Sequence, residues 1–212
     1  MSIVVDFPGG NVYHYKRLRT YEKCMGIQLY NCEYSLDISL VDETTWKQRR
    51  TKDMSIFMLG IDHNMAPVDI RALFAFTRKN TGEALLKLKK EPGICGCIIL
   101  STCNRLELWV STEENEKPEL YQWLCRLKGI EGEEYRKYFI SRENEEAVEH
   151  LFYLTSGLKS QILGEDQILT QVKDALSFAR EEFTTDSVLE VLFRMAVTAG
   201  KKIKTEVPFS HG

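Results

Sequence analysis

The sequence predicts an α+β protein in which a small sheet with flanking helices is followed by a helical bundle that ends in a long helix. Two observations favour this class. Short β-branched and aromatic runs alternate with helical patterns up to residue 140. Beyond that point the apolar residues recur mainly at helical spacing. The 212 residues are enough for one large or two small domains with a hydrophobic core.

The composition is that of an ordinary globular protein, with 43% hydrophobic and 28% charged residues. No apolar run approaches the roughly 18 residues of a membrane span, and no signal peptide opens the chain, so we expect a cytoplasmic protein without membrane contact. The net charge of −3 gives no global attraction to nucleic acid, and any RNA contact requires a local patch. Six irregularly spaced cysteines favour reduced thiols over a disulfide framework.

Residues 1–53 are predicted to form a β-rich appendage whose role the sequence does not indicate. Strand-like runs at 3–5 and 12–15 flank a Pro-Gly-Gly-Asn turn, which predicts a hairpin. The charged run at 47–53 is typical of a linker or an exposed edge.

Residues 54–140 are predicted to form an α/β subdomain. A buried strand at 56–61 is followed by two helical patterns and then by further strands and one more helix. The remaining elements are expected at 68–76, 82–90, 97–100, 106–110, 117–127 and 138–140. This order predicts a ferredoxin-like βαβ arrangement with helices on one face of the sheet.

Residues 141–212 are predicted to form a helical subdomain. Apolar stripes run through 143–156 and 167–182, and a final helix spans about 187–205. The last helix is apolar over much of its surface, so it needs partners on several sides and predicts a bundle.

A polar block that contains Cys103 separates two strand-like runs, and the rest of the chain is organised around it. Residues 101–105 are too polar for a core strand, which favours a sheet edge or a cleft. A thiol two residues before Arg105 is placed where its pKa can be lowered and its nucleophilicity used. The alternative is a buried structural cysteine, the role that Cys95 and Cys97 fit better. A zinc site built from these three cysteines lacks a fourth ligand, so we predict no metal site.

Other candidate residues each allow two interpretations. Arg105 either binds a substrate carboxylate through its bidentate fork or pairs with a surface acid. His150 borders an apolar helix face, where a hydrogen-bonded core histidine is the alternative to a site residue. The polar loop at 156–167 either links two helices or lines a site. The lysines that end the last helix fit both the helix dipole and an RNA patch.

Four blocks between residues 54 and 212 resemble the N-terminal catalytic part of glutamyl-tRNA reductase, the first committed enzyme of tetrapyrrole biosynthesis from glutamate. The blocks are residues 60–67, 100–107, 150–171 and 200–206. They occur in the order of the family, which makes the resemblance far more specific than any single motif.

The resemblance implies a mechanism. Cys103 would attack the aminoacyl ester of glutamyl-tRNA, forming a thioester and releasing tRNA, and NADPH would then reduce the thioester to glutamate-1-semialdehyde on the way to porphyrins and haem. His150 would be the second catalytic residue. The implied substrate-binding residues are Thr102, Arg105, Ser160, Glu165 and Gln167. Glu107 matches a further acid of the nucleophile motif, with a supporting role.

The sequence also departs from the family. Lys159 and Asp166 stand where an acid and a proline are usual, and residues 1–53 are not covered by the resemblance. No Gly-x-Gly-x-x-Gly fingerprint occurs, so we expect no NADPH site within this chain, which would be a fragment or a natural half-enzyme.

The expected partner is glutamyl-tRNA, with the downstream semialdehyde aminotransferase as a further candidate. The resemblance implies a homodimer for the full-length family, and we expect a monomer for this chain. The alternative function is a non-catalytic module that binds tRNA or protein. A generic thiol acyltransferase would need an acyl-carrier site that the sequence does not show.

Overall fold

The computed structural model describes residues 3–6, 12–15, 54–113, 116–157 and 167–206. The chain divides into two compact units, Met1–Met54 and Ser55–Gly212. In the first, strands β1 (Ile3–Asp6) and β2 (Val12–Tyr15) pair antiparallel, which confirms the predicted strand pairing. The rest of the predicted appendage lies outside the described residues, and the division at residue 140 stays a prediction.

From Met54 onward, strands and helices alternate first and helices follow. The strands are β3 (Met54–Asp62), β4 (Ile94–Ser101), β5 (Arg105–Glu113) and β6 (Ile140–Glu143). The helices are α1 (Val68–Phe74), α2 (Arg78–Leu88), α3 (Leu120–Lys128), α4 (Asn144–Thr155), α5 (Gln167–Glu181) and α6 (Ser187–Glu206). The α+β class predicted from the sequence is confirmed.

The four strands β3 to β6 form one antiparallel sheet in the order β4-β5-β3-β6. Ile98 of β4 lies opposite Trp109 of β5, and Leu59 of β3 lies opposite Ser141 of β6. This order, with helices crossing between β3 and β4 and between β5 and β6, is the predicted ferredoxin-like arrangement. The strand expected at 138–140 begins only at Ile140, because Arg136–Tyr138 form a 3-10 turn.

The two faces of β5 bury different kinds of side chain, because successive residues of a strand point to opposite faces. Leu106 and Leu108 face an apolar core that includes Phe74 of α1, Leu85 of α2 and Leu124 of α3. Burying such side chains contributes about 1.5–3 kcal/mol each.

The opposite face of β5 carries Arg105, Glu107 and Trp109, which meet His150 of α4 and Phe193 of α6. Helices therefore cover both faces of the sheet rather than the one face predicted, because the bundle packs onto the second face.

The helices α4, α5 and α6 form the predicted bundle, and α6 buries apolar side chains along much of its length. These are Val188, Leu189, Leu192, Phe193, Ala196 and Val197. Asp186 begins α6: its Oδ1 accepts a hydrogen bond from the amide of Leu189 at 3.0 Å. The hydroxyl of Ser111 in β5 donates to Asp186 Oδ2 at 2.8 Å, which ties the start of α6 to the sheet.

No helix within the described residues is long and apolar enough to cross a membrane. The cysteines of that part of the chain, Cys95, Cys97, Cys103 and Cys125, are free thiols. The same residues contain no group of three or more His, Cys, Asp or Glu side chains arranged to hold a metal ion.

Candidate active site

Cys103 lies at the tip of a two-residue turn between β4 and β5. The amide of Thr102 donates to the carbonyl oxygen of Arg105 at 2.8 Å, which closes the turn. Thr102 Oγ1 accepts from the amides of Asn104 and Arg105, each at 3.2 Å. One hydroxyl thus holds two successive amides of the turn.

The thiol of Cys103 is exposed, so this residue is not the buried structural cysteine of the alternative interpretation. Cys97 has that role. It is fully buried, its Sγ lies 3.5 Å from the carbonyl oxygen of Leu85, and burial raises its pKa to about 12. A thiol with that pKa stays protonated and is a poor nucleophile. The two cysteines lie six residues apart and differ in environment, and only Cys103 is exposed.

Arg105 opens β5 with its side chain buried rather than on the surface. Its Nη1 donates to Glu107 Oε1 at 3.0 Å, and Asp62 Oδ2 lies 4.0 Å from the same nitrogen. The side chains of Arg105 and Glu107 are each 3% exposed. The interpretation of Arg105 as the partner of a surface acid is therefore wrong, because its closest acid is buried.

Glu107 is the centre of the hydrogen-bonded network. Oε1 accepts from Arg105 and lies 2.9 Å from His150 Nε2, while Oε2 accepts from Trp109 Nε1 at 3.1 Å. Burial alone would raise the pKa of Glu107. The hydrogen bond and charge of His150, together with those of Arg105, outweigh burial and hold the pKa at about 2. Glu107 is therefore ionised at neutral pH and can only accept hydrogen bonds.

The ionised Glu107 determines which nitrogen of His150 carries hydrogen. Because a carboxylate has no proton to donate, His150 Nε2 must be the donor in the 2.9 Å contact. The ring also stacks on Trp109, with centroids 6.1 Å apart and planes 26° apart. Two independent contacts thus orient the imidazole.

The structure brings together only part of the set of residues expected from the sequence. Thr102 and Arg105 join Cys103 in one turn, and His150 reaches Arg105 through their shared contact with Glu107. Gln167 is the first residue of α5 and is exposed.

Ser160 and Glu165 lie outside the described residues, as do the departures Lys159 and Asp166. The roles of Ser160 and Glu165 stay predictions.

Sequence reasoning gave Glu107 only a supporting role and missed Trp109 and Asp62. The sequence did contain a signal for Glu107 and Trp109. Together with Arg105 they are spaced by two in a predicted strand, which puts all three side chains on one face of the sheet. A charged pair followed by tryptophan on a covered face indicates a buried polar network. The contact of Asp62 depends on the pairing of β5 with β3 and had no such signal.

The described turn and network fall within the region that matches a known family. The profile for the N-terminal domain of glutamyl-tRNAGlu reductase matches residues 59–207. The chain belongs to the glutamyl-tRNA reductase family. This confirms the resemblance carried by the four sequence blocks.

Curated members of the family are similar over the same region. Glutamyl-tRNA reductase of Acetivibrio thermocellus is 44% identical over 157 residues, covering 74% of this chain and 47% of that protein. The enzyme of Alkaliphilus oremlandii is 43% identical over 152 residues, covering 72% and 46%. A probable multifunctional siroheme biosynthesis protein HemA of Ruminiclostridium josui is 42% identical over 157 residues, covering 73% and 30%. The chain thus spans less than half the length of these relatives.

A solved structure supports the fold of the family. Glutamyl-tRNA reductase from Methanopyrus kandleri superposes with a TM-score of 0.62 at 30% identity. The match covers 74% of this chain and 36% of that one.

Proposed function

We propose that the chain carries the acyl-transfer half of the glutamyl-tRNA reductase reaction, with Cys103 as the nucleophile. Sγ of Cys103 forms a bond to the ester carbonyl carbon of glutamyl-tRNA, and the bond from that carbon to the terminal ribose oxygen breaks. The proton of the thiol goes to the leaving ribose oxygen, so a thioester and free tRNA result. The observation that carries this proposal is the exposed Cys103 at the tip of a turn that the hydroxyl of Thr102 holds.

Arg105 binds the carboxylate of the glutamyl group. A planar guanidinium matches a carboxylate through two parallel hydrogen bonds, and the charge-assisted contact to Glu107 sets the plane of the guanidinium. The buried Glu107 also keeps Arg105 from lying in the interior as an uncompensated charge. Gln167, Ser160 and Glu165 complete the substrate site.

His150 transfers the proton. We assign to His150 the transfer of the thiol proton to the leaving oxygen, with its imidazole oriented by the contact of Nε2 with Glu107. The carboxylate also stabilises the imidazolium formed between the two transfers. A positioned base of this kind contributes about 10²–10⁴-fold to the rate.

We expect the longer proteins of the family to complete the reaction. NADPH bound there would supply the hydride that reduces the thioester to glutamate-1-semialdehyde and returns Cys103 as a thiolate. This product feeds tetrapyrrole biosynthesis, a role in keeping with the siroheme protein among the relatives. We place the NADPH site outside this chain, whose sequence has no Gly-x-Gly-x-x-Gly fingerprint.

Deacylation of glutamyl-tRNA tests the proposal. The isolated chain should release glutamate slowly, because water replaces the missing hydride and hydrolyses the thioester. Cys103→Ser should lose this activity, and Cys95→Ser should keep it as the matched control. Equal deacylation by Cys103→Ser and the unchanged chain would contradict the proposal. Binding of glutamyl-tRNA without any deacylation would instead favour the non-catalytic binding module.

A further inference from the structure

We infer that Trp109 is a positioning residue of the acyl-transfer site, which it serves by orienting Glu107 and His150. Trp109 lies in the middle of β5 opposite Ile98 and is fully buried. Its effect on the rate rests on the proposed function, whereas its effect on the orientation of His150 does not.

Trp109 makes two contacts with the network at once. Its Nε1 donates to Glu107 Oε2 at 3.1 Å, and its ring stacks on the imidazole of His150 at 6.1 Å. His150 itself lies against the other carboxylate oxygen, Oε1. Because the three side chains form a closed triangle, the plane of the carboxylate and the plane of the imidazole are not independent.

The hydrogen bond from Trp109 controls rotation of the carboxylate. The terminal torsion of a glutamate has a broad energy minimum, so the carboxylate plane depends on its hydrogen-bond partners. Arg105 and His150 share Oε1, and Trp109 fixes Oε2. Without the indole donor, Oε1 can turn away from the directions in which Arg105 and His150 are held.

The indole is itself held from the bundle side. Phe193 of α6 contacts its ring edge-on, with centroids 5.4 Å apart and planes 86° apart. The position of Trp109 therefore depends on the packing of α6 against β5, and its buried N–H finds its acceptor in Glu107.

Trp109→Phe removes the N–H donor and keeps an aromatic ring, and Trp123→Phe is its matched control. Trp123 is also nearly buried but lies in the apolar core on the opposite face of the sheet. In single-turnover experiments with saturating glutamyl-tRNA, Trp109→Phe should lower the rate of Cys103 acylation about 10-fold or more. Trp123→Phe should stay within about two-fold of the unchanged chain, although both variants lose similar thermal stability.

A double-mutant cycle tests whether Trp109 acts through Glu107. If it does, adding Trp109→Phe to Glu107→Met, which lacks both carboxylate oxygens, should slow acylation by less than about two-fold beyond Glu107→Met alone. Independent, multiplicative losses would overturn the inference. So would equal rates for Trp109→Phe and Trp123→Phe.

The ring resonances of His150 give a readout that does not depend on Cys103 chemistry. In chains labelled with ¹⁵N-histidine, the Nε2–H signal of His150 should exchange with solvent faster in Trp109→Phe, because its hydrogen bond to Glu107 loosens, and at the unchanged rate in Trp123→Phe. An unchanged exchange rate in Trp109→Phe would overturn the inference. If the unchanged chain showed no Cys103-dependent deacylation, the proposed function would be overturned. The His150 signal would still decide whether Trp109 orients the imidazole.

Discussion

His150 Nε2 lies 2.9 Å from Glu107 Oε1, and this contact joins helix α4 of the bundle to strand β5 of the sheet. The two residues are 43 positions apart in the chain. Their side chains are 4% and 3% exposed, so water does not compete for the contact. The same carboxylate holds Arg105 two residues after Cys103. Folding of the bundle onto the sheet therefore completes the site around the nucleophile turn.

Replacement of Glu107 by glutamine should damage both stability and acylation. The amide keeps the shape but removes the carboxylate that lies nearest to the buried guanidinium of Arg105. The free energy of unfolding should fall by about 1–3 kcal/mol, and urea denaturation measures it. Glu149→Gln changes an exposed residue next to His150 and should leave stability within about 0.5 kcal/mol. Equal stability of the two variants would contradict a structural role for the Glu107 charge.

The stability of the protein should depend on pH through Glu107. The pKa of this residue is about 2 in the folded chain against an ordinary value of 4.5. A lowered carboxyl pKa stabilises the folded state above the ordinary value, and the stabilisation is lost as the pH falls from 4.5 towards 2. The contribution at neutral pH is about 3 kcal/mol. The difference in stability between the unchanged chain and Glu107→Gln, measured by denaturation, should shrink over that interval; a difference constant with pH would argue against the shift.

The rate of Cys103 acylation should depend on the hydroxyl of Thr102 more than on its methyl group. Thr102→Val keeps the shape but removes the acceptor for the amides of Asn104 and Arg105, so the Cys103 turn loses its order. Acylation should slow by about 10-fold or more because the nucleophile is less well placed. Thr102→Ser keeps the oxygen and should stay close to the unchanged rate. Equal rates for the valine and serine variants, measured in single turnover, would rule out this role of the hydroxyl.

Gly200 should resist substitution because two helices meet there. A Cβ at this position would lie 2.4 Å from the carbonyl oxygen of Thr155 at the end of α4. Gly200→Ala should therefore lower the free energy of unfolding by about 1–3 kcal/mol, although alanine favours helices. Thr198→Ala, at an exposed position of α6, is the control and should change stability little. If Gly200→Ala were as stable as this control in thermal unfolding, the close approach would be refuted.

Hydrophobic periodicity predicted the fold because burial dominates the placement of strands and helices. The runs at 56–61, 97–100 and 106–110 became three of the four strands of the sheet. Their ends were harder to predict, because local hydrogen bonds set them. Thr77 accepts from the amide of Asn80 and starts α2 four residues before the predicted position.

The site was predictable where one short segment carries it. Cys103 and Arg105 lie two residues apart in one polar block, so they stay close together however the rest of the chain packs. The contact between Glu107 and His150 depends on how α4 lies across the sheet, which no local pattern encodes. The helices on the second face of the sheet could not be predicted for the same reason. The apolar surface of α6 indicated that it packs against other elements, but its sequence did not indicate that β5 is one of them.

The covalent state of Cys103 during turnover tests the central claim most directly. The chain is mixed with glutamyl-tRNA, quenched in acid within the first turnover, digested and analysed by mass spectrometry. We predict one glutamyl group on the peptide that contains Cys103, removed by hydroxylamine and absent from Cys103→Ser. A chain that deacylates glutamyl-tRNA while this peptide stays unmodified at every quench time would contradict the account.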